Sequence, residues 1–375
     1  MVSFIHSSDW QIGMKGSGLG SAASLVRETR IASIENVFKA AKERSADFVI
    51  LAGDTFENNS ISMEEVSKVV TVFNKYSDIP IYLLPGNHDL IGSGSIYNRD
   101  IFQRVPNLTI MKGTDQVEAP GAVIHPCPVS SKFSVQDATK SIPSVKDDNR
   151  IHIGVAHGSL FGKFSVPKWE DVDLPIDPSS VERTGIDYLA LGHWHGYRIF
   201  NDSSNTPRIA YSGTHEQTNH EETDAGFCLH VKIDKKGSVP EIEPIRTGLL
   251  NWTSISFQLS DSSSLKSLER LLEDKRNIDM VKLELSGELP LDSMQELENL
   301  IDFQKTLHKN FRVQSDQLVI SKQMETDLPF DFHDPVLNQV DKKLREMLSV
   351  ETNPSERRII TEALLHFRKR GSEEG

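Results

Sequence analysis

Cysteine is nearly absent from this 375-residue chain, with only Cys127 and Cys228 present. That excludes a disulfide framework, and the spacing does not suit a cysteine zinc site, so both are expected to be small buried residues without redox chemistry. Long apolar runs are missing too. No stretch approaches the roughly 20 apolar residues that span a bilayer. Strand-like sequence from Val2 leaves no room for a basic and apolar leader, so the expectation is a cytoplasmic protein with no membrane partner. Positive charge is scarce, with 41 Lys and Arg against 54 Asp and Glu and a formal net charge of -13. A generally basic nucleic-acid coat is thereby excluded. Local contacts are not, because phosphates need only a few well-placed cations and any bound metal ions add more.

What is present is ordinary soluble composition, 37% hydrophobic and 25% charged, in a chain long enough for two domains. The first 230 residues alternate short apolar runs with helical patterns. The segments "VSFIH" (2–6), "DFVILAG" (47–53), "IPIYLLPG" (79–86), "IHIGVAHG" (151–158) and "DYLALGH" (187–193) read as buried strands, each ending in Gly, Asp, Asn or His. Between the first two, Ile31, Ile34, Val37, Phe38 and Ala41 recur at the spacing of one helix face, and Glu64 to Tyr76 reads as the next helix. Strand, helix, strand predicts a layered α/β core. Residues 208–233 are β-rich without helices and predict a second sheet packed on the first. Ser130 to Arg150 reads as a surface loop and Asp234 to Gly248 as an inter-domain connection.

Three domains are therefore expected: 1–248, 249–328 and 329–375. After Trp252 the pattern restarts as strand, helix (264–274), strand (280–287), helix (291–303) and a strand near Leu318 to Ser321, a compact α+β module. Beyond Pro335, Val336, Val340, Leu344 and Met347 form one apolar stripe. Ile359, Ile360, Ala363, Leu364 and Phe367 form another after the "NPSE" break.

Five segments bring hard-metal ligands to strand ends: Asp9 in "SDWQ", Asp54 in "AGDTF", Asn87, His88 and Asp89 in "PGNHD", His157 in "AHGS", and His193 with His195 in "GHWHG". A lone Asp after a strand is more often a cap, but the ordered set is specific. Carboxylate, amide oxygen and imidazole together suit manganese, iron or zinc. Two such ions about 4 Å apart would clamp a phosphoester between them. Asp54, from a central strand, is the candidate bridge, and His88 the candidate proton donor.

This order resembles the signature of calcineurin-like metallophosphoesterases over the first 200 residues. "FIHSSDWQIG", "LAGDTFE", "PGNHD", "DYLALGHWHG" and "IAYSGTHEQTNHEETDAGFCLHVKI" are similar to the SbcD nuclease family. The resemblance implies a four-layer α/β/β/α sandwich, then a small α+β capping domain and C-terminal helices. It implies cleavage of DNA ends in the 3' to 5' direction, with some endonuclease action, using two divalent ions, most often manganese. Asp9, Asp54 and His195 would hold the first ion with position 11 completing it, and Asp54, Asn87, His157 and His193 the second, with His88 catalytic. The partners implied are DNA, a second copy of the chain, and a coiled-coil ATPase of the structural-maintenance type. That ATPase would dock on the two C-terminal stripes, with Lys342, Lys343, Arg345, Arg357 and Arg358 on their rims.

Gln11 departs from that pattern, which has histidine there, and Glu57 stands where Asp or His is common. A glutamine oxygen is a weaker donor than imidazole. Gln11 either ligates directly or through water, leaving the first ion loosely held, or has left the shell. His215 and His220 are expected to be surface or substrate-side residues. Two other functions fit the motifs: a small-molecule phosphodiesterase or phosphatase, and a DNA-end-binding subunit with weak activity.

Overall fold

The computed structural model describes residues 1–16, 18–162, 173–275, 279–320 and 334–373. They group into two compact units, Met1–Leu250 and Asn251–Gly375. In the first unit, strands Val2–Ser7, Phe48–Ala52, Ile81–Leu84 and Leu108–Ile110 lie parallel and in that order. Phe227–Ile233 adds antiparallel to Val2–Ser7, and Glu241–Arg246 forms the edge beyond it. A second six-stranded sheet runs Arg198–Asn201, Pro207–Tyr211, Tyr188–Gly192, Ile151–His157, Ala122–Cys127, Val117–Ala119, with its middle four strands parallel.

Side chains explain the layering. Phe4, Phe48, Ile50, Ile153, Val155 and Tyr188 fill the space between the sheets. The opposite faces are apolar too, which is why these strands read as continuous rather than alternating runs. On one outer face, helices Ala23–Glu43 and Met63–Lys75 cover Ile5, Val49, Leu51 and Leu83 with Ile34, Val37, Phe38, Val66 and Phe73. Helix Met63–Lys75 starts where the Ser62 hydroxyl accepts the Glu65 N–H at 3.2 Å, and Glu64, Glu65 and Lys75 complement its dipole. On the other outer face, Leu189 and Leu191 pack on Ile142, Val145, Val181 and Ile186. The result is two packed sheets with both outer faces covered, a layered α/β fold.

Three expectations are corrected. Residues 208–233 do not build the second sheet alone: Phe227–Ile233 returns to the first sheet, and the second is centred on Ile151–His157 and Tyr188–Gly192. Within the expected connection 234–248, Glu241–Arg246 is an edge strand, whose alternation was hidden by its charged outer face. The supposed surface loop 130–150 contributes Ile142 and Val145 to a core cluster.

In the second unit, Trp252–Leu259, Met280–Leu289 and Asn310–Ile320 form a parallel sheet. Helices Ser262–Glu273 and Leu291–Leu307 are the crossovers. Helices Pro335–Val350 and Pro354–Glu373 pack through Leu344, Leu348, Ile360 and Leu364, with Met294 beside them. Of the two apolar stripes, Leu344, Ile360 and Leu364 are thus engaged inside the helix pair, while Val336, Val340, Met347 and Ile359 stay exposed. Arg345 and Arg357 are not free rim cations: Arg345 pairs with Asp341 at 2.8 Å, and Arg357 donates to the Leu348 and Glu351 carbonyls. Ser321, residues 329–333 and the Arg358 side chain lie outside the described residues.

Asp341, fully buried, accepts from Arg345 on its own helix and from Arg368 on the next at 2.7 Å. Removing one member of a buried ion cluster leaves the others uncompensated. Asp341→Ala is therefore expected to weaken the C-terminal helix pair by about 3 kcal/mol, read as earlier proteolytic cutting after residue 334. An unchanged cutting rate would show that the cluster does not hold the pair.

Candidate metal centre

Parallel strands bring their carboxyl ends to one edge of each sheet, and the two edges face each other across the shared core. The first sheet delivers Asp9, Asp54, Asn87 and His88 in the turns after Val2–Ser7, Phe48–Ala52 and Ile81–Leu84. The second delivers His157, paired in register with Gly192, then His193 and His195. Ligand sites outside the carboxyl ends of strands are a general property of such sheets.

The turns are strained. Asp9 (φ 53), Gln11 (φ 39), Asp54 (φ 51) and His193 (φ 106) all occupy the left-handed region, a conformation costing about 1–3 kcal/mol per residue that persists only when its surroundings dictate it. Here they do. Asp9 N–H donates to Gly53 O at 3.1 Å, and Gln11 N–H to Asp54 O at 2.9 Å. The His193 N–H reaches both Asp9 carboxylate oxygens at 3.0 Å. A side chain at Gly53 (φ 95) would place its Cβ 2.1 Å from His157 Nδ1, and one at Gly86 would lie 2.2 Å from Asp54 Oδ1.

Donor atoms of Asp9, Asp54 and His157, all three buried, lie within 4.8 Å of one another. His157 Nδ1 donates to Ala52 O at 3.1 Å. Its Nε2 faces Asn87 Oδ1 at 2.9 Å and Asp54 Oδ2 at 3.3 Å. Both neighbours of Nε2 are acceptors, so in the metal-free protein a proton must sit there. Burial opposes the His157 charge, but Asp54 outweighs it and raises the pKa to about 9. Burial likewise pushes Asp54 up, and His157 overcomes it, holding the carboxyl at about 2. Burial raises Asp9. Burial and the His157 charge lower His193 to about 3, leaving a neutral imidazole. Carboxylate oxygens of Asp9 and Asp54, the Asn87 amide oxygen and the His157 imidazole are a donor set that a divalent cation fits.

His195 Nδ1 lies 2.6 Å from the Glu222 carboxylate, which outweighs burial and raises the imidazole pKa. Thr218 fixes Glu222 through its N–H and hydroxyl, both at 2.6 Å. The carboxylate holds the Nδ1 proton and leaves Nε2 as the available donor. His88 is anchored by its N–H on Asp54 Oδ1 at 2.9 Å and by Nδ1 on Glu57 O at 3.0 Å, with Nε2 4.0 Å from Asp54 Oδ2. Its side chain is 30% exposed, which gives it access to a substrate. Gln11 takes part through its backbone and is half-buried.

Asp89 does not join the cluster. It lies under the loop, accepting the Gly86 and Phe56 N–H groups at 2.7 and 3.0 Å and the Tyr97 hydroxyl. His215 is corrected from a surface position: it is fully buried, packs on Trp10, and meets Arg30 O at 2.7 Å. His220 is partly buried. The sequence reading missed Glu222 and Arg30. The buried Arg30 guanidinium donates to the Asp9 and Trp10 carbonyls, to Glu216 O and to Thr214 Oγ1, bracing the Asp9–Gln11 turn from behind. A charge in register with Ile34 and Phe38 on the apolar helix face was the available signal.

If Glu222 orients a ligand, Glu222→Gln is expected to weaken the affinity for one divalent ion about tenfold with unaltered circular dichroism. Wild-type affinity in a titration of Glu222→Gln would remove that role.

Residues 2–197 match the family of calcineurin-like phosphoesterases. The chain is similar to an uncharacterized metallophosphoesterase, YhaO, of Bacillus subtilis (strain 168), 24% identical over 288 residues, 73% of this chain and 67% of that one. It is similar to the DNA double-strand break repair protein Mre11 of Aeropyrum pernix, 24% identical over 294 residues, 74% of this chain and 69% of the relative. The Archaeoglobus fulgidus Mre11 is 24% identical over 299 residues, covering 70% and 64%. Among solved structures, the calcineurin-like phosphoesterase YfkN from Bacillus subtilis aligns with a TM-score of 0.39 and 11% identity over 66% of this chain and 90% of that one. The family match spans more than half of the sequence, so the chain belongs to the calcineurin-like phosphoesterases, hydrolases of phosphoesters that use divalent metal ions.

Proposed function

We propose that the chain is a divalent-metal-dependent DNA nuclease of the SbcD type, cutting phosphodiesters from DNA ends in the 3' to 5' direction. The observation that carries the hydrolytic part is the convergence of Asp9, Asp54, Asn87 and His157 beside a partly exposed His88. The likeness to relatives named as DNA double-strand break repair proteins supports DNA as the substrate. In this reading Asp9, Gln11, Asp54 and His195 hold one ion, and Asp54, Asn87, His157 and His193 the other, with manganese the favoured metal. Ions bound there supply a polarised phosphoester and an acidified water. Asp54 would be the ligand that both ions share. His88, its Nδ1 held by Glu57 O, keeps Nε2 for a proton given to the leaving oxygen. Glu222 fixes the ring of His195.

The reading assigns residues 1–248 to catalysis, 249–328 to capping the DNA, and 329–375 to docking a coiled-coil ATPase, with the nuclease part forming a dimer. The exposed Val336, Val340 and Met347 on one helix support a helical partner.

Two experiments test this. Manganese titration of the metal-free protein should show two events, the weaker at the Gln11 side. At about pH 7.5 it should release about one proton, displaced from His157. Because that proton competes with the metal, apparent affinity should rise with pH and level off above about 9. Two equally tight sites would contradict the Gln11 assignment, and no proton release would contradict the His157 one. Second, labelled duplex and single-stranded DNA should be cut with manganese. His88→Asn should lose about 10²- to 10⁴-fold in kcat while retaining metal affinity. Cleavage of bis-p-nitrophenyl phosphate but not DNA would favour a small-molecule phosphodiesterase, and DNA binding without cleavage an end-binding subunit.

A further inference from the structure

Ser8 and Ser212 directly follow strands Val2–Ser7 and Pro207–Tyr211, one from each sheet, and their hydroxyls meet behind Asp9. Both residues are buried, at 1% and 0% exposure, so bulk water does not compete for their hydrogen bonds. An isolated parallel bridge pairs Ser8 with Thr214, which pins the two chain segments side by side. Ser212 Oγ lies 2.9 Å from Ser8 Oγ and 3.3 Å from Gly213 O. A hydroxyl has one proton, and the shorter contact directs it to Ser8. Ser8 Oγ in turn lies 2.5 Å from Asp9 Oδ2 and 3.4 Å from Gly213 O. Only the first is within normal range for two oxygens, and its length is that of a hydroxyl on an ionised carboxylate. The donors therefore run one way, Ser212 to Ser8 and Ser8 to Asp9, each strengthening the next.

The two oxygens of Asp9 are thereby made unequal. The His193 N–H is shared between them at 3.0 Å each, whereas Ser8 reaches Oδ2 alone. An ionised carboxylate offers about two lone-pair sites on each oxygen. Oδ2 is filled by its two donors, and Oδ1 keeps room for a cation. Resting on the assignment of Asp9 to one of the paired ions, we propose that Ser8 and Ser212 are positioning residues for that ion: their hydroxyls hold Oδ2 and turn Oδ1 to the cation as a one-oxygen ligand. A carboxylate already fixed in this way loses little freedom when the cation arrives, and it cannot swing to offer both oxygens. Ser212 never touches the ion in this arrangement. It acts through Ser8, across the junction of the two sheets.

The test is calorimetric titration of the full-length, metal-free protein with manganese. Ser8→Ala should weaken the event assigned to Asp9 and Gln11 about tenfold and leave the other unchanged. Ser8→Cys, which fills the same room with a weak donor, should do the same. Ser212→Ala should weaken that event less, and adding it to Ser8→Ala should change nothing further, because its effect passes through the missing hydroxyl. A role in packing alone would move both events and be rescued by Ser8→Cys, which overturns the proposal. A second measurement needs no variant: in a manganese-soaked crystal of the wild type, the ion beside Asp9 should touch Oδ1 only, with Ser8 Oγ still within about 3 Å of Oδ2. Contact through Oδ2 or through both oxygens, or wild-type affinity in Ser8→Ala, overturns the serine roles and leaves Asp9 a ligand. Manganese bound without contact to Asp9 overturns the assignment of that ligand and the serine roles with it.

Discussion

Two carboxylates, Asp9 and Asp54, are buried in one pocket with donor atoms within 4.8 Å of His157 and of each other. Like charges so placed repel strongly, and burial deprives both of water. A positive charge must lie among them. In the metal-free protein His157 carries it, held between Asp54 and Asn87, and Arg30 adds a second from behind the Asp9 turn. The surrounding architecture serves this arrangement: two sheets bring their strand ends to one place, and glycines at 53 and 86 let side chains approach where a Cβ would collide.

The same constraint explains the strain. Four left-handed residues in one pocket would be a heavy cost for a fold of ordinary stability. They are tolerated because each turn is bonded to another: Asp9 to Gly53, Gln11 to Asp54, and His193 to Asp9 itself. Strand ends alone would not set ligand distances, and these cross-bonds do. The fully packed apolar layers on both faces of each sheet offset the strain and fix the positions from which the turns begin.

Much of this was legible in the sequence, for definite reasons. The five central strands were readable because burial on both faces makes them continuous apolar runs, and their polar ends mark where ligands emerge. Edge strands such as Glu241–Arg246 and Arg198–Asn201 were not, because their exposed faces carry charge and dilute the pattern. Asp89 and His215 illustrate a different limit. Their residue types are those of ligands, yet one locks a loop and the other fills a core, a distinction that depends on which hydrogen bonds the fold makes available. Glu222 was hidden for the converse reason, since an acidic stretch reads as a solvated surface until Thr218 and His195 are seen to enclose one of its carboxylates.

The central claim is that separate strand ends assemble one centre for paired cations. Anomalous scattering from a manganese-grown crystal at the manganese edge measures this most directly. Two peaks, both in contact with Asp54 and flanked by Asp9, Asn87, His157, His193 and His195, are the result the account predicts. No peak among these side chains, with Asp9 and Asp54 turned apart, would contradict it.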